Sequence, residues 1–75
     1  MVHRHRALKS FGSNLRSERE RREFTQEKLA EKADLDPGYI SGIERGIRNP
    51  SILSVLRIAK ALGTTVSDLS RGLDG

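Results

Sequence analysis

The chain has 75 residues, with 14 Lys and Arg against 10 Asp and Glu, a formal net charge of +4 and a pI near 10.1. That length gives one small core, leaves no room for a second domain and little for an enclosed substrate cavity, while the surplus of cations favours phosphate-rich partners. The absence of cysteine excludes a disulfide framework and a thiolate metal site, and no apolar run approaches the ~20 residues of a membrane span.

The N-terminal segment, residues 1–9, carries Arg4, Arg6 and Lys9 with His3 and His5 but no repeating apolar face, so a mobile basic arm or frayed helix start is expected, with order beginning near Ser10 or Phe11. It lacks the apolar stretch of a secretory signal, so the location expected by default is the cytoplasm, where bacterial DNA also lies. His3 and His5 are in H-x-H spacing, but no further ligands lie nearby, so neither a metal nor a cofactor is expected. Arg4 and Arg6 share their chemistry with basic arms that enter minor grooves. Phe11 and Leu15, four apart, start the first helix. From Arg16 to Glu23 the signs alternate, which reads as a solvated face.

Phe24 can pack as a hydrophobic staple beside Thr25, whose hydroxyl caps a second helix. Leu29, Ala30 and Ala33 form that helix's apolar face. Asp36 and Pro37 supply an N-cap and a pre-set first helical residue for a third helix, which turns Ile40 and Ile43 inward. A capping box at Ser41 to Glu44 offers a later start, but it would leave Tyr39 and Ile40 without a helical role. The outer face, Pro37, Gly38, Tyr39, Ser41, Gly42 and Arg45, is small, aromatic and basic, and such a face can enter a groove. Gly46 is placed to end the helix in a left-handed conformation.

Ser51-Ile52 opens a fourth helix ending at Gly63, with Ile52, Val55, Leu56, Ala59 and Leu62 on one stripe. Leu53 projects off that stripe and Ile58 falls on the opposite shoulder. Thr65 to Asp68 has capping-box spacing, which predicts a short fifth helix through Leu69, and residues 71–75 form a loose tail. Leu53, joined to Val66, Leu69 and Leu73, makes a candidate apolar patch for a two-fold partner. The expectation is an all-α, compact five-helix bundle spanning residues 10–70.

The combination of Leu15-Arg16, Arg19, Thr25-Gln26-Glu27-Lys28-Leu29-Ala30, Tyr39 to Gly46, Asn49-Pro50-Ser51 and Ile58 to Gly63 resembles the Xre/Cro-type helix-turn-helix regulators, a group that includes phage repressors. The resemblance runs from about Phe11 to Leu69 and implies a lambda-repressor-like DNA-binding domain. The phrase YISGIERGIRN is most similar to the small controller proteins of restriction-modification systems. By this resemblance the DNA-contacting set is Thr25, Gln26, Pro37, Gly38, Tyr39, Ser41, Gly42, Arg45, Arg48 and Asn49, with Gln26 at a phosphate and Gly42 allowing close approach. For Gln26 the rival reading is a plain exposed residue beside a cap, for Tyr39 a half-buried packing residue, and for Arg45 and Arg48 simple surface charge. Arg19 and Glu44 match positions that pair across the first and third helices.

Three departures from the pattern stand out. Pro37 and Gly38 fall where controller-like relatives carry a long polar or basic side chain, which shifts recognition towards arginines and DNA shape. Glu18 falls where an apolar residue is usual, and Glu23 where glycine is usual. The resulting expectation is a sequence-specific regulator of transcription, dimeric on a pseudo-palindromic operator, autoregulatory or controlling a restriction-modification system. Glu18, Glu20 and Glu23 form an acidic segment that would face RNA polymerase. The alternative is a protein-interaction module on the same fold, of the antitoxin kind. An enzyme is not expected, because the chain has no activated-nucleophile motif, no phosphate-cradling glycine loop and no paired carboxylates in a pocket-forming context.

Overall fold

Residues 3–73 are described by a computed structural model, with side chains from Arg6 onward. Five helices follow one another: α1 (His3–Arg21), α2 (Gln26–Ala33), α3 (Pro37–Glu44), α4 (Ile52–Leu62) and α5 (Val66–Leu69). No strand occurs among the described residues. α1 packs on α3 and α5, α2 bridges α3 and α4, and α4 closes against α5.

The core is shared among all five helices. Phe11 and Leu15 come from α1, Leu29, Ala30 and Ala33 from α2, Ile40 and Ile43 from α3, Val55, Ile58, Ala59 and Leu62 from α4, and Leu69 from α5. A core this small leaves little surplus over chain entropy, so the helix ends matter. Thr25 Oγ1 accepts from Lys28 N, Asp36 Oδ2 from Gly38 N and Tyr39 N, Ser51 Oγ from Ser54 N, and Thr65 Oγ1 from Asp68 N. Each such cap is worth about 1 kcal/mol.

The C-terminal ends of α1 to α4 close with the paired bonds of the Schellman motif. After α1 the N–H groups of Glu23 and Phe24 donate to the carbonyls of Glu20 and Arg19. After α2, Asp34 and Leu35 donate to Glu31 and Ala30. After α3, Gly46 and Ile47 donate to Ile43 and Gly42, and after α4, Gly63 and Thr64 donate to Lys60 and Ala59. The motif needs a left-handed residue, and the four that serve are Glu23 (φ 60°), Asp34 (58°), Gly46 (76°) and Gly63 (69°). Glu23 therefore occupies a conformation that suits glycine better than glutamate.

Several expectations change. Helix α1 begins at His3 rather than near Ser10. Leu8 is half-buried and, with Phe11 and Leu15, completes an i, i+3, i+7 stripe, while the backbone of Lys9 lies under Gly46. Met1 and Val2, the remainder of the expected arm, lie outside the described residues, as do the side chains of His3, Arg4 and His5.

In α4 the buried stripe is Val55, Ile58, Ala59 and Leu62. Ile52 and Leu56 point outward at 76% and 51% exposure, and Ile58 is fully enclosed, because the face turned to α2 and α5 is rotated from the one expected. Glu18 is buried rather than solvated, its carboxylate held by Arg21 at 3.2 Å and Arg22 at 3.8 Å. The tail is tied as far as Leu73: Asn14 Nδ2 donates to the carbonyls of Leu69 and Arg71, each at 2.8 Å, and Leu73 packs on the core. Asp74 and Gly75 lie outside the described residues.

α1 crosses the end of α3 through Gly12. A Cβ placed there would stand 2.3 Å from the Ile43 carbonyl oxygen and 2.6 Å from that of Glu44. Backbone cannot retreat as a side chain can. An exposed helical Gly→Ala change should gain up to about 1 kcal/mol; Gly12→Ala should instead lose about 2 kcal/mol or more by overpacking, seen as a fall in thermal midpoint. Glu23→Gly should move the other way, by about 1 kcal/mol or roughly 4–8 °C, through relief of the left-handed strain.

Candidate nucleic-acid interface

The end of α3 is fixed by one carboxylate. Arg19, near the end of α1, donates from Nε to Glu44 Oε2 at 2.6 Å and from Nη2 to Oε1 at 3.1 Å, while its Nη1 donates to the Phe24 carbonyl at 2.7 Å. Gln26, the first residue of α2, donates from Nε2 to Glu44 Oε1 at 3.1 Å. Glu44, the last residue of α3, thus joins three helices. The side chains of Arg19 and Glu44 are only 11% and 4% exposed. The hydrogen bond to Glu44 raises the Arg19 guanidinium above its ordinary range, against the opposing effect of desolvation. Its fork geometry suits a bidentate carboxylate, which lysine could not reproduce.

From that anchor α3 runs outward. Asp36 caps its start, so the carboxylate there occupies the N–H groups of Gly38 and Tyr39. At the start of α2 the Thr25 hydroxyl takes the Lys28 N–H and the Thr25 carbonyl takes that of Leu29. The N–H groups of Gln26 and Glu27, in the first turn, have no intrahelical acceptor, as at helix starts that receive a phosphate. The Glu27 carboxylate in the same turn weakens that attraction.

The residues expected at this face divide into three sets. Thr25, Pro37, Gly38, Arg45, Arg48 and Asn49 are exposed. Gln26, Tyr39 and Ser41 are half-buried, and two of them have their polar groups engaged: Gln26 on Glu44, and Tyr39 through its hydroxyl, which meets Ser54 Oγ at 3.2 Å and accepts from Ser51 N at 3.3 Å. The packing role therefore falls to Tyr39, which ties α3 to the cap of α4. Gly42 is buried, and within the single chain the close approach it allows is that of the Arg48 side chain, which covers it.

The expected self-association patch also changes membership. Leu69 is enclosed within the single chain and Leu73 packs on the core, because α5 folds back between α1 and α4. Leu53 and Val66 are exposed, and Ile52 and Leu56 stand beside Leu53 on the outward side of α4. Sequence reasoning placed Ile52 and Leu56 in the core; the signal that could have moved them is the near-continuous apolar run of α4, which offers more than one possible inward stripe. Among the described residues no group of acidic or histidine side chains is assembled to hold a metal, and no helix is long and apolar enough to cross a membrane.

A short helix held from behind, a tight turn, and a second helix presented to solvent beside exposed cations define a helix-turn-helix domain. Residues 15–69 match the family model described as Helix-turn-helix, and the chain belongs to that family. It is 47% identical over 60 residues to the control protein C.BamHI of Bacillus amyloliquefaciens, an alignment covering 79% of this chain and 74% of that protein. Its structure is similar to that of the restriction-modification controller protein C.AhdI from Aeromonas hydrophila, with a TM-score of 0.81, 40% identity, and coverage of 83% of this chain and 94% of that one. It is also similar to the controller protein C.Esp1396I, solved as a tetramer with its natural 35 base-pair operator, with a TM-score of 0.79, 37% identity, and coverage of 91% and 90%. The family is one of regulators and not of enzymes.

Removing one partner of the buried pair leaves the other charge unpaired. Arg19→Ala should cost about 3–5 kcal/mol in chemical denaturation, whereas replacing both Arg19 and Glu44 by apolar residues of similar volume should cost much less.

Proposed function

We propose that the chain is a sequence-specific double-stranded DNA-binding regulator of transcription, acting as a homodimer on a pseudo-palindromic operator. The observation that carries this reading is the exposed outer side of α3 and its following loop, Pro37, Gly38, Arg45, Arg48 and Asn49, set beside the open N-terminus of α2. Arg45 and Arg48 supply phosphate attraction or a bidentate guanine contact, Asn49 a backbone contact, and the α2 start, Thr25 and Gln26, a second phosphate position. The operator-bound relative C.Esp1396I, similar over most of both chains, supports the same use of the fold.

The dimer is supported by four of the five large apolar side chains that the described protomer leaves in water, Ile52, Leu53 and Leu56 on α4 and Val66 on α5; the fifth, Ile47, follows α3. Such a group, on a domain measuring 32 × 22 × 21 Å, suits a two-fold contact that sets two α3 helices about one turn of DNA apart, near 34 Å. The same apolar group also fits the antitoxin-like alternative, a protein-interaction module, and salt separates the two. In the cell the reading places the chain in the cytoplasm on the nucleoid, at its own promoter or that of a restriction-modification pair. RNA polymerase is a further partner on this reading, and the exposed acids available for it are Glu20 and Glu23, since Glu18 is buried.

Selection from a randomised duplex pool at low ionic strength should enrich a two-fold repeat. On that duplex, log affinity should fall linearly with log salt, and Arg45→Ala should lower the slope by about 1; absence of enrichment, or binding indifferent to salt, overturns the reading. Leu53→Asp and Leu56→Asp should each convert a micromolar dimer into a monomer by sedimentation without lowering the protomer's helicity.

A further inference from the structure

Gly42 lies in the middle of the outer stripe of α3, four residues after Gly38 and three before Arg45. At an ordinary exposed position of a short helix, glycine is a poor choice, because it loses more chain entropy on folding than any residue with a side chain. Here the space a side chain would take is already filled. A Cβ built on Gly42 would stand 2.5 Å from Arg48 Cγ, 3.5 Å from its Cβ and 3.6 Å from its Cδ. Three successive carbons of the arginine stem therefore lie across the glycine. The backbone converges on the same point: the N–H groups of Ile47 and Arg48 both donate to the Gly42 carbonyl, at 3.0 and 3.2 Å. Gly46, left-handed at φ 76°, turns the chain back so that this is possible.

We infer that Gly42 is a positioning residue for DNA recognition: its missing side chain is the notch in which the Arg48 stem is laid along α3, so that the guanidinium is aimed before a duplex arrives. Arginine carries several freely rotating bonds, and ordering them on binding opposes affinity. A stem already packed against the recognition helix has lost part of that freedom on folding. The effect on DNA is exerted through Arg48, and Gly42 itself touches no base or phosphate. This rests on the reading that Arg48 faces DNA, but the seating of the stem is testable without DNA.

The test is a double-mutant cycle of Gly42→Ala, Arg48→Ala and the pair, read by thermal midpoint of the free protein and by affinity for the duplex enriched from a random pool by the wild type. In the free protein, Gly42→Ala should leave the midpoint unchanged or lower it, because the gain in helix propensity is cancelled by displacement of the stem. In the Arg48→Ala background, the same change should raise the midpoint, since the notch is then empty. With DNA, Gly42→Ala should weaken binding by on the order of fivefold, a partial return of the arginine's freedom, and should have no further effect once Arg48 is alanine.

Equal midpoint shifts in both backgrounds would show that the stem is not seated on Gly42. Equal losses of affinity in both would show that Gly42 acts on DNA independently of Arg48. Either result overturns the inference. If Gly42→Ala does not fold, Arg48→Met keeps the stem without the charge: a wild-type midpoint with weakened binding supports the seat, and a midpoint lowered as far as that of Arg48→Ala removes it. Sign inversion of the midpoint shift together with a wild type that enriches no duplex would retain the packing, refute the DNA reading, and remove with it the role assigned to Gly42.

Discussion

The orientation of the recognition helix rests on the Glu44 carboxylate. α3 has only eight residues, too few to be stable alone, and on its outer side only Tyr39 and the Arg48 stem over Gly42 give it support. Its position must therefore be imposed from behind and from its end. Ile40 and Ile43 hold it to the core, Gly12 lets α1 lie against its last carbonyls, and Glu44 receives Arg19 from α1 and Gln26 from α2. Desolvating two charges is costly, and such a pair need not add net stability over apolar residues. What it adds here is direction: a bidentate fork and an amide, converging from two other helices, fit one placement of the α3 end. The raised Arg19 value has a definite pH consequence. A cation whose folded value lies above its unfolded one contributes stability that is complete below the unfolded value and lost only as pH rises through the folded one. For a guanidinium that window is strongly alkaline, so its side of the anchor does not titrate in the neutral range.

The helix-turn-helix was legible in the sequence because its signals are local. A hydroxyl before an apolar stripe, Asp-Pro before the next, and a glycine after it act over three or four residues, and the structure has all three in use. The inward side of α4 was not legible. Apolar residues occupy positions 52, 53, 55, 56, 58, 59, 61 and 62, so helical periodicity allows more than one stripe, and only packing against α2 and α5 selects Val55, Ile58, Ala59 and Leu62. Leu69 failed for a related reason, since a single leucine in a four-residue helix carries no periodicity. The same limit applies to the candidate site. The roles of Gly12 and Gly42 depend on residues more than thirty positions away in one case and on a chain reversal in the other, and nothing in the spacing of either glycine reports this.

Departures from the family pattern have local physical meaning. Glu18, at a position suited to an apolar side chain, is enclosed but not stranded, because Arg21 and Arg22 follow at i+3 and i+4 and bring their guanidinium groups to it. Arg22 also lies near Gly63, the left-handed end of α4, with its Nη1 3.6 Å from where a Cβ would sit. A cation at that helix terminus is favourable for the dipole. The buried glutamate and the cations around it therefore form a compensated unit joining α1 to the end of α4. Glu23 has no comparable compensation; it bears the backbone strain of the turn alone.

The distribution of charge along α3 gives the proposed interface a polarity. At the N-terminal end the Asp36 carboxylate is committed to the first N–H groups, and Pro37 and Gly38 offer no hydrogen-bonding side chain. At the C-terminal end stand Arg45 and, after the Gly46 reversal, Arg48. In many groove-reading helices the first turn carries the base contacts, but here Pro37 and Gly38 have no side chain to make them and the Asp36 cap presents a negative charge to a phosphate. The α2 start lies at the same end as Arg45, because Gln26 bonds to Glu44 in the last turn of α3. On the proposed reading, attraction for the DNA backbone would be gathered at one end of α3, while the other end, with Pro37 and Gly38, would approach the groove floor without reading it by side chain. An interface of this form discriminates through where two arginines reach and through how readily the duplex bends to meet them, so sequence preference should extend to base pairs that no side chain touches.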